Sequence, residues 1–308
     1  MVKIKNKKKL ATALKRYGNG KIKQEMLASW LGITTRRFRQ IYHDYKTTGE
    51  IPVIGKHLGR PSKTIPEEHE RIIVEKYDKY RLNALYLEKV IYAEERVRIP
   101  HNAIHKVLKK YGFAKDEESK KGRRKPWIRY ERKHSLSAAH MDWCEPPGES
   151  KVCAVLDDAS RKILSGGEFE NATAENSINL AREVIEKYGY IGVLRETITD
   201  HGSQFYANKR DENGEADHSF EAFLKANGIK HILCRYNHPQ SNGKIEKWFD
   251  LYQIHRWRFN TFEEFIDWYN NRPHGSLNLR RAETPEMAFW RKMPEEYYYG
   301  LAIKALGW

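Results

Sequence analysis

Residues 136–169 read LSAAHMDWCEPPGESKVCAVLDDASRKILSGGEF and contain three short apolar segments separated by polar turns. The segments are 136–144, 151–160 and 161–169, and each has the length and residue types of a β-strand. The first carries an acid, Asp142, between Met141 and Trp143. These residues therefore predict the start of a sheet with a carboxylate inside one of its strands.

The chain continues as an alternation of helical and strand patterns. Three early strands followed by such an alternation indicate an α/β domain, a mixed sheet covered by helices. The segments are a helix at 174–189, a strand at 193–200, a helix at 220–228, a strand at 229–234 and a helix that starts near 242.

The charge is unevenly distributed along the chain. Residues 1–139 contain 35 Lys and Arg against 15 Asp and Glu, whereas residues 140–308 contain 21 against 26. A strongly basic front half beside an acidic rear half indicates a polyanion-binding region followed by a chemically different domain. A solvated basic surface is the simpler alternative.

Two short helical patterns in residues 21–49 are separated by Gly32, and the second starts near Thr34 or Thr35. This is the spacing of a helix-turn-helix, whose second helix enters the major groove of DNA. A packing corner with a hydrated basic face remains the alternative. We expect Met26, Leu27, Trp30 and Leu31 to line the first helix, and Phe38, Ile41, Tyr42 and Tyr45 the second. The candidate DNA contacts are Arg36, Arg37, Arg39 and Gln40.

A Gly- and Pro-rich connector at 55–66 contains Arg60, which is placed to enter a minor groove if the segment is more than a plain linker. Three further helical patterns occupy residues 67–113 and resemble a second helix-turn-helix. His101 and His105 stand four apart, but no third metal ligand accompanies them, so we interpret them as surface histidines.

Residues 120–133 hold eight Lys or Arg and one Glu, with Trp127 and Tyr130 between them. Such a segment is typical of a linker that follows DNA phosphates, although a basic hinge has the same composition. Its candidate DNA contacts are Arg123, Arg124 and Lys125.

Composition excludes several classes of protein. No apolar run approaches the ~20 residues of a membrane span, and the first residues contain no apolar segment of signal-peptide length. We therefore expect a protein of the cytoplasm or nucleoid. The three cysteines are odd in number and lack a C-x-x-C spacing, which indicates free thiols rather than disulfides or a zinc site.

Three acids stand out by their positions. Asp142 lies within a strand, Asp200 ends a later strand, and Glu246 lies one turn inside the helix that follows HPQSNG at 238–243. A carboxylate inside an apolar strand is costly unless it is paired or binds a cation. Oxygen ligands suit Mg²⁺ or Mn²⁺, and two such ions can stabilise a phosphodiester exchange. Asp157 and Asp158 are rivals, but their Asp-Asp-Ala-Ser sequence favours an ordinary turn.

Five motifs together resemble the retroviral-integrase superfamily, in particular prokaryotic insertion-sequence transposases with a D, D, E triad. They are HMDW at 140–143, VLDDASRKI at 155–163, TDHGSQF at 199–205, HPQSNGKIEKW at 238–248 and WYNNRPHGSLNLRRAETPEMAFW at 268–290. The resemblance implies a ribonuclease H-like fold over 136–292, with Asp142, Asp200 and Glu246 as catalytic residues that hold Mg²⁺ or Mn²⁺.

The fourth motif predicts how its helix is placed. Ile245, Trp248, Phe249 and Tyr252 form its apolar side. We expect the Asn242 side chain to cap the helix, and Lys244 and Lys247 to flank the metal site on the side where DNA phosphates approach.

The predicted organisation has six segments. They are a helix-turn-helix domain at 1–50, a linker at 51–65, a second helix-turn-helix domain at 66–113, a basic linker at 114–135, the catalytic domain at 136–292 and a tail at 293–308. The resemblance implies a transposase that acts on double-stranded DNA as a homodimer or larger assembly. A DNA-binding regulator with an inactive transposase remnant, or a nuclease without joining activity, are the alternatives.

Two features depart from the family pattern. Asp200 and Glu246 are separated by more residues than is usual, and the polar stretch at 208–219 is the expected insertion. His201 stands where many relatives have Asn.

Overall fold

The computed structural model describes residues 7–20, 22–52, 64–115, 130–148, 150–207, 218–234 and 242–306. They fall into two compact units, residues 1–64 and 65–308. No helix among these residues is long and apolar enough to span a membrane. The predicted DNA contacts Arg60, Arg123, Arg124 and Lys125 and most of the insertion at 208–219 lie outside the described ranges.

The first unit contains three helices, α1 (Lys7–Gly18), α2 (Gln24–Leu31) and α3 (Thr35–Thr48). Gly32 ends α2 in the left-handed conformation, φ 67°, which glycine adopts without a steric penalty. The Thr34 side chain accepts a hydrogen bond from the Arg37 amide and caps α3. The break and the start of α3 therefore fall where the sequence predicts them.

The packed side of α2 differs from the predicted one. Met26 and Trp30 are 66% and 43% exposed, because the helix turns Leu27, Ala28 and Leu31 inward. The core of this unit consists of Leu10, Ala13, Leu14, Leu27, Ala28, Leu31, Phe38 and Ile41.

The second unit opens with another three helices, α4 (Glu67–Tyr80), α5 (Ala84–Glu95) and α6 (His101–Lys110). Their core also contains Leu279, which belongs to a short 3₁₀-helix at Leu279–Arg281 far along the chain. Trp268 donates its indole N–H to the Lys79 carbonyl at 2.8 Å. Helices α4 to α6 are thus packed into the same compact unit as the sheet.

The sheet has five strands, β1 (Ala139–Cys144), β2 (Lys151–Asp157), β3 (Ile163–Phe169), β4 (Glu196–Thr199) and β5 (Lys230–Leu233). Their order is β3-β2-β1-β4-β5. β1, β2 and β3 pair antiparallel, whereas β4 and β5 continue parallel to β1. This mixed sheet with flanking helices is the ribonuclease H-like fold, as predicted.

Helices cover both faces of the sheet because β2 alternates its side chains between two cores. Cys153 and Val155 face a core with α7 (Ala174–Tyr188) and α8 (Ser219–Ala226). On the other face, Val152, Ala154 and Leu156 pack against α9 (Gly243–His255) and α10 (Phe262–Asn270). α11 (Pro285–Arg291) adds Phe289 to the first core, and α12 (Glu295–Ala305) occupies much of the segment predicted as a tail.

The three cysteines are free, as predicted from their spacing.

Leu279→Ala tests whether α4 to α6 are held by the rest of the unit. Leu279 is 6% exposed within their core, so its truncation should lower the free energy of unfolding by about 2–4 kcal/mol. Amide exchange in α4 to α6 should also accelerate. Leu85→Ala is the matched control, since Leu85 lies on α5 but is 49% exposed, and it should change stability by less than about 0.5 kcal/mol. Equal effects would show that Leu279 does not contribute to this core.

Candidate active site

The structure brings Asp142, Asp200 and Glu246 to one end of the sheet. His140 of β1 is level with Ile198 of β4 in a parallel pair, and extending that register by two residues places Asp142 level with Asp200. α9 packs on one face of the sheet. Its inward side consists of Ile245, Trp248, Phe249 and Tyr252, as predicted. Glu246 remains on its exposed side.

Asp142 is under electrostatic strain. Burial, together with the charges of Asp200 and Glu246, raises the pKa of Asp142 from 3.8 to about 7. Its carboxylate accepts hydrogen bonds from the Trp143 amide at 2.8 Å and from Asn242 Nδ2 at 2.6 Å. Neither donor carries a charge, so the repulsion among the three acids is not neutralised by these partners.

The donor set fits a hard divalent cation. Three carboxylates with a shared negative field are the ligands that Mg²⁺ or Mn²⁺ prefers, and a cation would relieve the repulsion that Asp142 experiences. In the arrangement described, no three His, Cys, Asp or Glu side chains of the described ranges stand close enough to enclose an ion.

Asn242 does not cap α9. No side-chain hydrogen bond caps this helix. The amide of Asn242 instead donates to Asp142, and its oxygen lies 3.3 Å from Nδ1 of His140. A cap is a contact within one turn, whereas this amide links the start of α9 to two residues of β1.

A second buried carboxylate, Asp158, continues the same network. Its Oδ1 lies 2.7 Å from Nε2 of His140 and also accepts from the Lys244 ammonium, while Oδ2 accepts from the Arg132 amide at 2.6 Å. Burial alone would raise the pKa of Asp158, but the hydrogen bonds and charges of His140 and Lys244 hold that pKa well below its usual range. The network runs from Lys244 through Asp158, His140 and Asn242 to Asp142.

The turn at Asp157 and Asp158 is more than a surface connection. Asp157 accepts hydrogen bonds from the Ser160 amide and hydroxyl, at 2.7 and 2.6 Å, as a turn-forming Asp does. Both acids are nevertheless fully buried. The prediction of a turn is therefore confirmed, but the sequence did not show that the turn is buried.

The sequence contained one usable signal for this network. His140 and Asp142 are two residues apart on a strand, so their side chains point to the same face of the sheet. A polar residue beside a predicted catalytic acid in an apolar strand was a reason to expect a contact.

The two lysines of the helix motif differ in the structure. Lys244 is committed to Asp158, and its side chain is only 14% exposed, so it is not the free phosphate contact that the sequence predicted. Lys247 is 81% exposed and forms a surface pair with Asp250 at 2.6 Å. Only Lys247 is therefore available to a large polyanion in this conformation.

The other predicted positions are distributed as follows. Arg36, Arg37, Arg39 and Gln40 are all exposed on α3. His101 lies 2.9 Å from Glu88, which agrees with a surface role rather than a metal site. His201 packs edge-on against Tyr206.

Residues 132–239 match the family model described as Integrase core domain. These residues are therefore similar to an integrase core domain. The matched segment is about a third of the chain and contains all five strands of the sheet, and this similarity supports a polynucleotidyl-transferase class of function.

Individual relatives are distant. A protein named "Putative integrase ORF3" from Spiroplasma virus SpV1-C74 is 30% identical over 115 residues, which are 36% of this chain and 30% of the viral protein. A protein of unassigned function from Archaeoglobus fulgidus is 28% identical over 37% of this chain and 89% of its own length. The catalytic core of BIV integrase aligns with 16% identity and a TM-score of 0.38, covering 51% of this chain and 95% of that core.

Asp158→Asn should destabilise the integrase core. The change leaves the buried Lys244 without its counter-charge, which costs about 3–5 kcal/mol in unfolding free energy near pH 7. Since folding lowers the pKa of Asp158, its stabilising contribution is complete above the unfolded Asp pKa and is lost as the pH falls. The difference in the free energy of unfolding between parent and variant, measured by urea unfolding, should become smaller at acidic pH.

Asp250→Asn is the control for Asp158→Asn. Asp250 forms an exposed pair with Lys247, so its loss should change stability by less than about 1 kcal/mol. Similar unfolding curves for the two variants would contradict the proposed weight of the buried network.

Asp142→Asn should stabilise the metal-free protein. Because folding raises the pKa of Asp142, its charged form opposes folding above about pH 4 and does so fully above about pH 7. The free energy of unfolding of the variant should exceed that of the parent by about 1–3 kcal/mol at pH 8, after allowance for the partial exposure of Asp142, and should differ little at pH 4. Excess Mg²⁺ should raise the melting temperature of the parent more than that of the variant. A loss of stability that is equal at both pH values would refute this electrostatic account.

Proposed function

We propose that this chain is a DNA transposase of the insertion-sequence type. It binds the terminal repeats of its element, cuts phosphodiester bonds to free 3′-hydroxyls and joins those ends to target DNA. The observation that carries the proposal is the convergence of three acids: Asp142 and Asp200 lie within residues 132–239, which match an integrase core domain, and Glu246 comes from the helix that follows this segment.

The three carboxylates would hold two Mg²⁺ or Mn²⁺ ions. Bound there, divalent ions supply Lewis-acid stabilisation for phosphodiester cleavage and strand transfer. The contribution of the protein is to orient the ligands: Asn242 and the Trp143 amide fix the Asp142 carboxylate, and Lys244 with Asp158 fixes the first turn of the helix that carries Glu246.

DNA recognition is assigned to the basic front half. Arg36, Arg37, Arg39 and Gln40 lie exposed along one helix that follows a tight turn, the arrangement with which a recognition helix reads base edges and phosphates. We also propose DNA contacts for four residues that lie outside the described ranges: Arg60, Arg123, Arg124 and Lys125. Lys247 adds an exposed cation near the catalytic acids, and its weak surface pair with Asp250 can exchange for a phosphate.

Two DNA ends must be joined to one target, so we propose that the active form is a homodimer or a larger assembly on double-stranded DNA. A DNA-binding regulator with an inactive core, and a nuclease that cuts without joining, remain as distinct outcomes of the experiment below.

The test uses purified full-length protein, Mg²⁺ or Mn²⁺, and labelled duplexes that carry the element's own ends beside a target plasmid. Asp142→Asn, Asp200→Asn and Glu246→Gln should each reduce both cleavage and joining by at least about a thousand-fold, because each removes a charged ligand worth several kcal/mol of transition-state stabilisation. End binding should be retained in all three variants.

Asp250→Asn is the matched control, since Asp250 lies one helical turn beyond Glu246 on the exposed side of α9. It should keep both activities. Activity that survives Glu246→Gln but not Asp250→Asn would show that the wrong acid has been assigned. End binding without any catalysis by the parent would favour the regulator, and cleavage without joining would favour the nuclease.

A further inference from the structure

Two arginines lie over Trp268, where the end of α4 meets the helices that follow the sheet, and the charge of a third, Arg81, acts on one of them. Arg258 and Arg272 lie over the Trp268 ring, with guanidinium carbons 5.5 and 4.9 Å from its centroid. Arg81, just after α4, binds the Asp78 carboxylate at 2.6 Å, and Arg258 donates to the carbonyl of the same Asp78 at 3.2 Å. The three side chains form what we call the arginine cluster.

The cluster has more hydrogen-bond donors than acceptors. Arg272 is 6% exposed, and its Nε and Nη1 atoms are buried without a hydrogen-bond partner. Arg81 Nε and Arg258 Nη1 are also buried without a hydrogen-bond partner. The contact of Arg81 with the Asp78 carboxylate is the one ion pair that these three arginines form within the described ranges, so the cluster keeps an excess of two positive charges.

Arg272 differs from the other buried cations of the described chain. Lys76 lies 2.8 Å from Glu94, Arg161 lies 3.1 Å from Glu131, and Lys162 lies 2.6 Å from Glu286. Arg272 is buried to the same degree as these three, but it forms no ion pair with a carboxylate in the part of the chain that the structure describes. Stacking on Trp268 offsets only part of the cost of burying a charge.

The electrostatic environment agrees with the geometry. Burial, together with the charge of Arg258, lowers the pKa of Arg272 to about 10, so the side chain is still a cation at neutral pH. Burial and the charges of Arg272, Arg258 and Arg81 lower the pKa of the neighbouring His255 to about 4. An anion in the cluster would reverse both effects.

We propose that the arginine cluster binds a phosphate group of the DNA backbone. A guanidinium presents a planar pair of N–H donors that match two phosphate oxygens, and a phosphodiester supplies the missing acceptors and negative charge. The assignment of DNA as the source rests on the proposed function, whereas the need for an anion does not. A phosphate held here would touch both the end of α4 and the integrase core.

The exposed edge of the cluster is the Arg81–Asp78 pair, whose side chains are 24% and 50% exposed. A phosphate can replace the Asp78 carboxylate at this edge, because both are anionic acceptors and the surface pair is weak. Entry therefore needs a side-chain exchange rather than a change of fold.

Arg272→Met in the full-length protein tests the proposal, because methionine keeps much of the apolar stem and removes the charge. Melting temperatures are compared in inorganic phosphate and in chloride at equal ionic strength. Phosphate should raise the melting temperature of the parent and not that of Arg272→Met. Arg280→Met is the matched control, since Arg280 is exposed on the nearby 3₁₀-helix, and it should respond as the parent does.

DNA is the second arm of the experiment. The slope of log affinity against log salt concentration, measured with a short duplex, should fall by about one for Arg272→Met. Arg272→Lys keeps the charge without the planar fork, so it should fold like the parent and show a clearly smaller phosphate response. This variant decides the matter if Arg272→Met does not fold.

Equal phosphate responses in the parent and in both Arg272 variants would overturn the site. A lost phosphate response with an unchanged DNA salt slope would overturn DNA as the source and leave a site for free phosphate. If the parent binds no DNA at all, the proposed function fails, and the DNA source fails with it. If the parent binds DNA and Arg272→Met keeps both the salt slope and the phosphate response of the parent, only the inference about the cluster fails.

Discussion

The burial of Asp158 constrains much of the candidate active site. This carboxylate has no access to solvent, so every acceptor position it offers must be satisfied by the protein. The donors come from three places in the chain: the backbone before β1, the side chain of His140 within β1, and Lys244 at the start of α9. Displacing any of these elements would leave a charged group unpaired. This constraint fixes the position of β1, which carries Asp142, relative to α9, which carries Glu246.

The acids themselves work against the fold. Asp142 is half-buried beside two carboxylates of the same charge, and its hydrogen bonds come from neutral groups. The fold tolerates this arrangement because the two large cores on either side of the sheet supply the stabilisation, and because the ion pair of Asp158 holds the frame around the repelling groups. Repulsion that opposes folding is the same property that favours capture of a cation.

The sequence predicted the parts of the fold that depend on periodicity. The five strands, the helices α4 to α9 and the break at Gly32 follow from alternation, apolar spacing and the conformational freedom of one glycine, so they were found close to their observed limits. The apolar side of α9 was predicted for the same reason.

The contacts that could not be predicted join residues far apart in the chain. Asn242 was expected to cap its own helix because capping is a local rule, but its partner Asp142 lies 100 residues away. Lys244 was expected to face DNA, because a basic residue beside a predicted catalytic acid suits that role. Its ammonium group instead forms an ion pair with the buried carboxylate of Asp158, 86 residues away. Local chemistry alone does not show which distant group competes for a side chain.

The insertion of Leu279 into the core of α4 to α6 has a consequence for engineering. A chimera with its junction at residue 113 would cut through a shared core and remove the contacts that Leu279 and Trp268 make with α4 to α6. A junction at Thr64 and Ile65 follows the division between the two compact units and breaks neither contact. The first three helices can therefore be exchanged as a unit, whereas α4 to α6 have to be kept together with the sheet domain into whose core Leu279 packs.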